Sequence, residues 1–255
     1  MRKSNLYRNK YKNLIQFFTV ILIFGLYIVF LKKENLWEGM LRFFFPGEKD
    51  VLYPRASLLT LLKEHLILVG ISSSASILFG IVLGIYVTRE KGRDFLPLVN
   101  NLTSFSQTVP PVAVLALAVP FVGFGFKPTV LALFLYSILP VVRNTIAGLE
   151  AVPRDVVDIA EGIGMYPYQV LFRVELPLAT RVIIAGIRTS VVINVGTASV
   201  GAVVGAGGFG VPIISGLVRD NQALIIEGAL SSALLAVLID QFMGSLEKAF
   251  FSAKG

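Results

Sequence analysis

The chain has 255 residues, of which 55% are hydrophobic and only 15% charged, with a formal net charge of +7, one histidine and no cysteine. Soluble domains carry about a quarter charged residues, so this composition excludes a water-soluble core and points to a polytopic membrane protein. The missing cysteine excludes disulfides, thiolate metal sites and thiol nucleophiles, and in a membrane chain the excess of lysine and arginine marks cytoplasmic loops rather than a nucleic-acid surface.

A bilayer crossing takes about 20 apolar residues, so the length allows five or six spanning helices with loops between them. The first apolar run, Leu14 to Leu31, follows Arg2, Lys3, Arg8, Lys10 and Lys12. No small-residue cleavage site follows it and Lys32-Lys33 does, so it reads as a retained helix rather than a signal peptide. Trp37, Phe43, Phe44 and Phe45 then place a short surface element at headgroup level. The second stretch runs from Leu66 to Val87 and the third from Phe95 to Phe121. About 12 residues into the third, roughly 18 Å at the helical rise, stand Gln107, Thr108, Val109, Pro110 and Pro111. Adjacent prolines leave carbonyls unbonded in hydrocarbon, so a helix break is expected there. Transporters tolerate such breaks where they line a cavity, which makes Gln107, Thr108, Pro110 and Pro111 candidates for a translocation path, beside a plain structural kink.

The fourth stretch, Thr129 to Val142, contains Pro140 and is expected to continue through Arg143 to Leu149 as a kinked helix that leaves the membrane. The fifth, Val182 to Val204, carries Asn194, whose amide must find either a neighbouring helix or water in a path. Gly205 to Gly210 follow it, and Gly205, Gly207 and Gly208 are candidates for an outer gate of tight turns. They lack the Lys-Ser/Thr ending of a phosphate loop. The sixth stretch is Leu224 to Phe242. Small residues recur at every fourth position in Ser72, Ser76, Gly80 and Gly84, in Gly186, Ser190, Asn194, Ala198 and Ala202, and in Gly228, Ser232, Ala236, Asp240 and Gly244. Such stripes read as close helix packing. Arg188, Glu227 and His65 near helix ends read as structural, the first two by snorkelling.

With a cytoplasmic N-terminus, the basic residues favour the inside and put Asn144 to Thr180 in the cytoplasm. There Pro153 can occupy the first turn of a helix that places Val156, Ala160 and Ile163 on one face, Gly164 can close it, Pro167 can open a second, and Pro177 is expected to end that one. A helix, a sharp turn and a helix would offer an apolar edge to a partner's groove, with Asp158 and Glu161 at its rim. Alternatively Asp158 pairs only with Arg154 and the loop merely connects.

Asp158-Ile159-Ala160, Gly164 and Val174-Glu175-Leu176-Pro177 keep a fixed spacing. That pattern resembles the cytoplasmic loop on which the ATPase docks in permease subunits of ATP-binding-cassette importers. Asp158, Ile159 and Val174 stand where Glu, Ala and Ile are commonest. Gln107 to Pro111, Gly125-Phe126-Lys127-Pro128, Leu139 to Thr145 and Gly205 to Gly210 further resemble the permeases for glycine betaine, carnitine, choline and related osmoprotectants, and Met1 to Glu64 match least.

The resemblance implies an all-α polytopic bundle of about six transmembrane helices with the binding-protein-dependent importer permease fold. It divides the chain into an N-terminal helix with outer loop (1–64) and a permease core (65–255) with its docking loop at 144–180. It implies Val156, Asp158, Ala160, Glu161, Gly164, Leu176 and Pro177 as docking residues, and no catalytic or metal site. The expected partners are ATPase subunits that bind ATP and Mg, a second permease subunit, an extracytoplasmic binding protein and the cell membrane, with both termini cytoplasmic. Two alternatives are a secondary transporter or channel working without ATP and a non-transporting membrane scaffold.

Overall fold

The computed structural model describes residues 2–106 and 108–252, and among these every regular element is helical. The longer helices are α1 (Arg2–Lys32), α3 (Leu58–Thr88), α6 (Phe126–Glu150), α9 (Leu176–Ala198) and α11 (Gln222–Ser252). Between them lie α2 (Glu34–Phe44), α4 (Leu96–Ser106), α5 (Pro111–Val122), α7 (Arg154–Gly162), α8 (Pro167–Val170) and α10 (Gly210–Arg219). Ile15–Lys32, Leu58–Thr88, Phe126–Glu150 and Gln222–Lys248 are each long and apolar enough to cross a bilayer. Leu78, Phe79 and Val82 of α3 stay exposed, which suits a helix whose solvent is lipid.

The third apolar stretch is divided. Helix α4 ends at Ser106 and α5 begins at Pro111, where Pro110 and Pro111 cannot donate to an α ladder. Thr108 and Pro110 lie in that break, and Gln107 lies outside the described residues. By contrast Pro140 sits inside an unbroken α6, so the fourth stretch does continue to Glu150. The fifth stretch stops being α-helical at Ala198 and tightens into a 3₁₀ segment, Ser199–Val204, closed by Gly205 at φ +79°.

The chain forms two compact units. The first comprises Met1–Gly70, Leu115–Leu131 and Val195–Gly255. In it α1 lies along α11, where the Tyr27 hydroxyl donates to the Ser231 carbonyl at 2.8 Å and the Phe17 and Phe242 rings meet at 6.0 Å. Trp37 of α2 is fully buried against Phe30, ring centroids 5.0 Å apart, while Phe43 and Phe44 face outward. Only part of the aromatic group therefore remains available to a membrane surface. Glu227 does not snorkel; its carboxylate is buried and accepts the Tyr53 backbone N–H at 2.9 Å, because the segment after α2 folds over the start of α11. The Asn221 side chain holds the same segment by donating to the Asp50 carbonyl at 2.8 Å.

The second unit comprises Ile71–Val114 and Ala132–Asn194. Here the small-residue stripe of α3 meets α6. A Cβ on Gly84 would stand 2.6 Å from Thr145 Cβ and one on Gly80 would stand 2.8 Å from Val141 Cβ, so the backbones approach as closely as small residues permit. Ser76 and Ser137 hydroxyls lie 2.6 Å apart, and Ser190 donates to the Ser137 carbonyl at 2.7 Å.

Candidate functional site

Helix α7 starts after Pro153, whose φ of −59° and ψ of 130° make it the cap rather than the first helical residue. Asp155 lies in the first turn, where a carboxylate favours the positive end of the helix. The helix closes through two bonds, Met165 N–H to the Ala160 carbonyl at 3.1 Å and Gly164 N–H to the Glu161 carbonyl at 2.9 Å, with Gly164 left-handed at φ +88°. These are the two bonds of a Schellman motif, and they satisfy carbonyls that would otherwise be stranded at the helix end. Tyr166 caps the second helix and Pro167 occupies its first turn.

Pro177 does not end that second helix. The Leu176 N–H bonds to the Leu171 carbonyl, one residue beyond α register, so Leu171–Glu175 form a π turn and the chain continues into α9. A proline at 177 cannot donate to the Arg173 carbonyl and would collide with it in an α-helix. The wider turn moves that carbonyl aside, and the helix survives.

Ala160 is 5% exposed and anchors the inner face of α7, whereas Ile159, Ile163, Tyr166, Tyr168 and Phe172 are all exposed, Ile163 at 76%. Val156 is exposed too, though less than these. The expected face of Val156, Ala160 and Ile163 is thus split: Ala160 is turned to the protein, and the outward edge is led by Ile159 and Ile163. Nothing lies within 4 Å of where a Gly164 Cβ would stand, so the elbow is free on its outer side. Asp158 and Glu161 are exposed and line a cleft of about 510 Å³ with Arg89, Arg93, Arg154 and Glu175. Among the described residues no ion pair joins Asp158 to Arg154.

The foot of this element packs on apolar side chains. Leu149, Ala179 and Ile183 are buried with Leu171, Leu176, Ile81 and Ile85 against them. Beside them Arg89, the residue after α3, grips Glu175 with both guanidinium tips, Nη1 to Oε2 at 2.6 Å and Nη2 to Oε1 at 3.2 Å. Glu175 is 8% exposed. The spacing pattern leaves position 175 open to any residue, so neither partner was visible in the sequence as a functional candidate. A lone carboxylate two residues before the proline, in a segment about to enter the membrane, was the available signal.

Asn194 is fully buried. Its amide nitrogen lies 2.9 Å from Ser73 Oγ, 3.0 Å from Ser137 Oγ and 3.1 Å from Ser72 Oγ. In the first unit Gly205, Gly207 and Gly208 all have positive φ and shape a tight turn. Glu64 accepts the Gly208 N–H at 2.9 Å. His65 Nδ1 accepts the Phe209 N–H at 3.4 Å, so its proton belongs on Nε2, 2.9 Å from the Val195 carbonyl. The two side chains pin the glycine turn to α3, a role that the place of His65 near a helix end did not reveal. No group of three or more potential metal ligands occurs among the described residues.

Residues 76–252 match the family described as the binding-protein-dependent transport system inner membrane component, a span that contains the whole elbow. The chain belongs to that family. It is a multi-pass membrane transport subunit. Its relatives include the osmoprotectant import permease protein OsmY of Salmonella typhimurium, 38% identical over 88% of this chain and 92% of that protein. The glycine betaine/carnitine/choline transport system permease protein OpuCD of Bacillus subtilis is 42% identical over 69% of this chain and 76% of that protein. Among solved structures, the inward-facing MetNI methionine transporter shares the fold at a TM-score of 0.67 and 22% identity, covering 75% of this chain and 95% of that one.

Proposed function

We propose that this permease forms the translocation path of an ATP-driven importer for a small osmoprotectant such as glycine betaine, carnitine or choline. The observation that carries the reading is the Schellman-closed elbow, which holds Ile159, Ile163, Tyr166, Tyr168 and Phe172 outward beside Asp158 and Glu161. In water a protein gains by covering such an apolar edge, and the charged rim selects a partner with basic residues around its groove. The partner is an ATPase subunit, which binds ATP and Mg; this chain holds neither. The elbow and both termini face the cytoplasm, a second permease subunit completes the path, and an extracytoplasmic binding protein delivers the solute.

Closure of the ATPases around ATP pushes on the segment from Val156 to Leu176 and tilts the helices behind it from inward-facing to outward-facing. Hydrolysis resets them. Thr108, Pro110 and Pro111 line the path at the break between α4 and α5, where carbonyls freed by proline offer dipoles to a passing solute. Asn194 ties the wall of that path together, and the turn at Gly205, Gly207 and Gly208 forms the outer gate. The substrates for which these relatives are named support the osmoprotectant class. To test the reading, the chain is purified with the ATPases that accompany it and reconstituted in vesicles. ATP hydrolysis should rise when the binding protein is loaded with one of these osmolytes. Hydrolysis indifferent to every loaded osmolyte, or no ATPase in the purified complex, rejects it.

A further inference from the structure

Arg89 and Glu175 join two stretches of chain that are 86 residues apart. Arg89 stands immediately after α3, at the entry to a 3₁₀ turn, Glu90–Phe95, so its side chain is fixed to the end of a long membrane helix. Glu175 is the last residue of the π turn at the root of the elbow. One added residue turns a helix by about 100°, so without the π turn the carboxylate would leave the chain in a different direction and miss the guanidinium.

The contact is stiff in a way that its neighbours are not. Ile81, Ile85, Leu171 and Leu176 meet through apolar surface, which resists separation but carries no directional bond. A planar guanidinium paired through two parallel hydrogen bonds to one carboxylate fixes both distance and direction. Arg89 Nη2 also reaches Thr88 Oγ1 at 3.4 Å, and that hydroxyl donates to the Ile85 carbonyl at 2.8 Å, so the chain of polar contacts runs from Glu175 into the last turn of α3. The Arg89 Nε atom is buried without a hydrogen-bond partner. That geometry favours the grip on Glu175 over full satisfaction of the arginine's own donors.

We propose that Arg89 and Glu175 are positioning residues that clamp the root of the docking elbow to the end of α3, so that a load on the elbow moves that helix instead of being lost in sliding. The inference rests on the docking reading above and adds the residues through which force passes.

The complex with its ATPases is compared for the wild-type chain, Glu175→Gln, Arg89→Gln, Arg89→Lys and the exchanged pair Arg89→Glu with Glu175→Arg. Three quantities are read: ATPase retained on purification, ATP hydrolysed, and solute taken up per ATP in vesicles. The neutral single variants and Arg89→Lys, which keeps the charge without the fork, are expected to retain the ATPases and hydrolyse ATP. Their uptake per ATP should fall by about tenfold, and the exchanged pair should recover most of it. Wild-type uptake per ATP in Arg89→Lys or in either neutral variant overturns the clamp. So does loss of the ATPases from any single variant, which would make the pair part of the dock itself. If a neutral variant does not reach the membrane, Arg89→Lys decides alone. Failure of the docking reading looks different, because then the wild-type chain itself retains no ATPase.

Discussion

At Gly164 the backbone has φ +88° and open space where a side chain would begin, so the demand on this residue is conformational and not steric. A β-branched residue there would be held in a region that costs it of the order of 1–2 kcal/mol, whereas asparagine tolerates it better. Gly164→Val is therefore expected to loosen the elbow, keep the protein in the membrane, and lower uptake per ATP by about tenfold, with Gly164→Asn in between. Uptake assays on membranes with matched protein levels check the order of the three. Asn194 poses the opposite case, a buried amide surrounded by the hydroxyls of Ser72, Ser73 and Ser137. Asn194→Leu strands those hydroxyls between helices and should destabilise the protein by about 1–2 kcal/mol, read as a lower melting midpoint in detergent. An unchanged midpoint would mean that the serines find other partners.

Among the elements, the elbow was legible in the sequence because its devices are local. Pro153, Gly164 and Pro167 each act within a turn of their own position; the structure uses Gly164 and Pro167 at the expected places and Pro153 one position earlier, as the cap. Pro177 was misjudged for an equally physical reason. A proline ends an α-helix only if the ladder stays in α register, and the π turn at Leu171–Glu175 changes the register first. Nothing in the local letters announces that. The outward edge was only half legible, since helical spacing grouped Val156, Ala160 and Ile163 but could not say that Ala160 faces the protein. The small-residue stripe of α3 was readable as a packing face, while its partners on α6, Val141 and Thr145, were not. The edge gives a prediction at this scale. Ile159→Asp with Ile163→Asp keeps Gly164 and the backbone bonds that close the helix yet places charge where apolar cover is expected, so ATPase co-purification should drop by at least about tenfold. The melting midpoint of the chain alone should stay within a degree or two, about what exposed substitutions cause.

Across the whole molecule the sequence was informative about class and weak about pairing over distance. Composition and the six apolar stretches anticipated an all-helical membrane chain, and the divided third stretch followed from two adjacent prolines. The clamp of Glu64 and His65 on the glycine turn joins residues 144 apart, and Glu227 meets Tyr53 across 174. Contacts of that range leave no periodic trace. Orientation is testable because the chain has no cysteine. An impermeant maleimide should label Lys49→Cys in intact cells, and Tyr168→Cys only in inverted vesicles; the reverse pattern would invert the topology and remove the elbow from any cytoplasmic motor.

The elbow's turn bonds itself through backbone alone, before anything covers it. A motor that meets it has no ordering entropy to supply, because the recognised shape is already present. Assembly should then behave as rigid-body capture, with an encounter rate that responds to ionic strength through Asp158 and Glu161 and shows no slow folding phase.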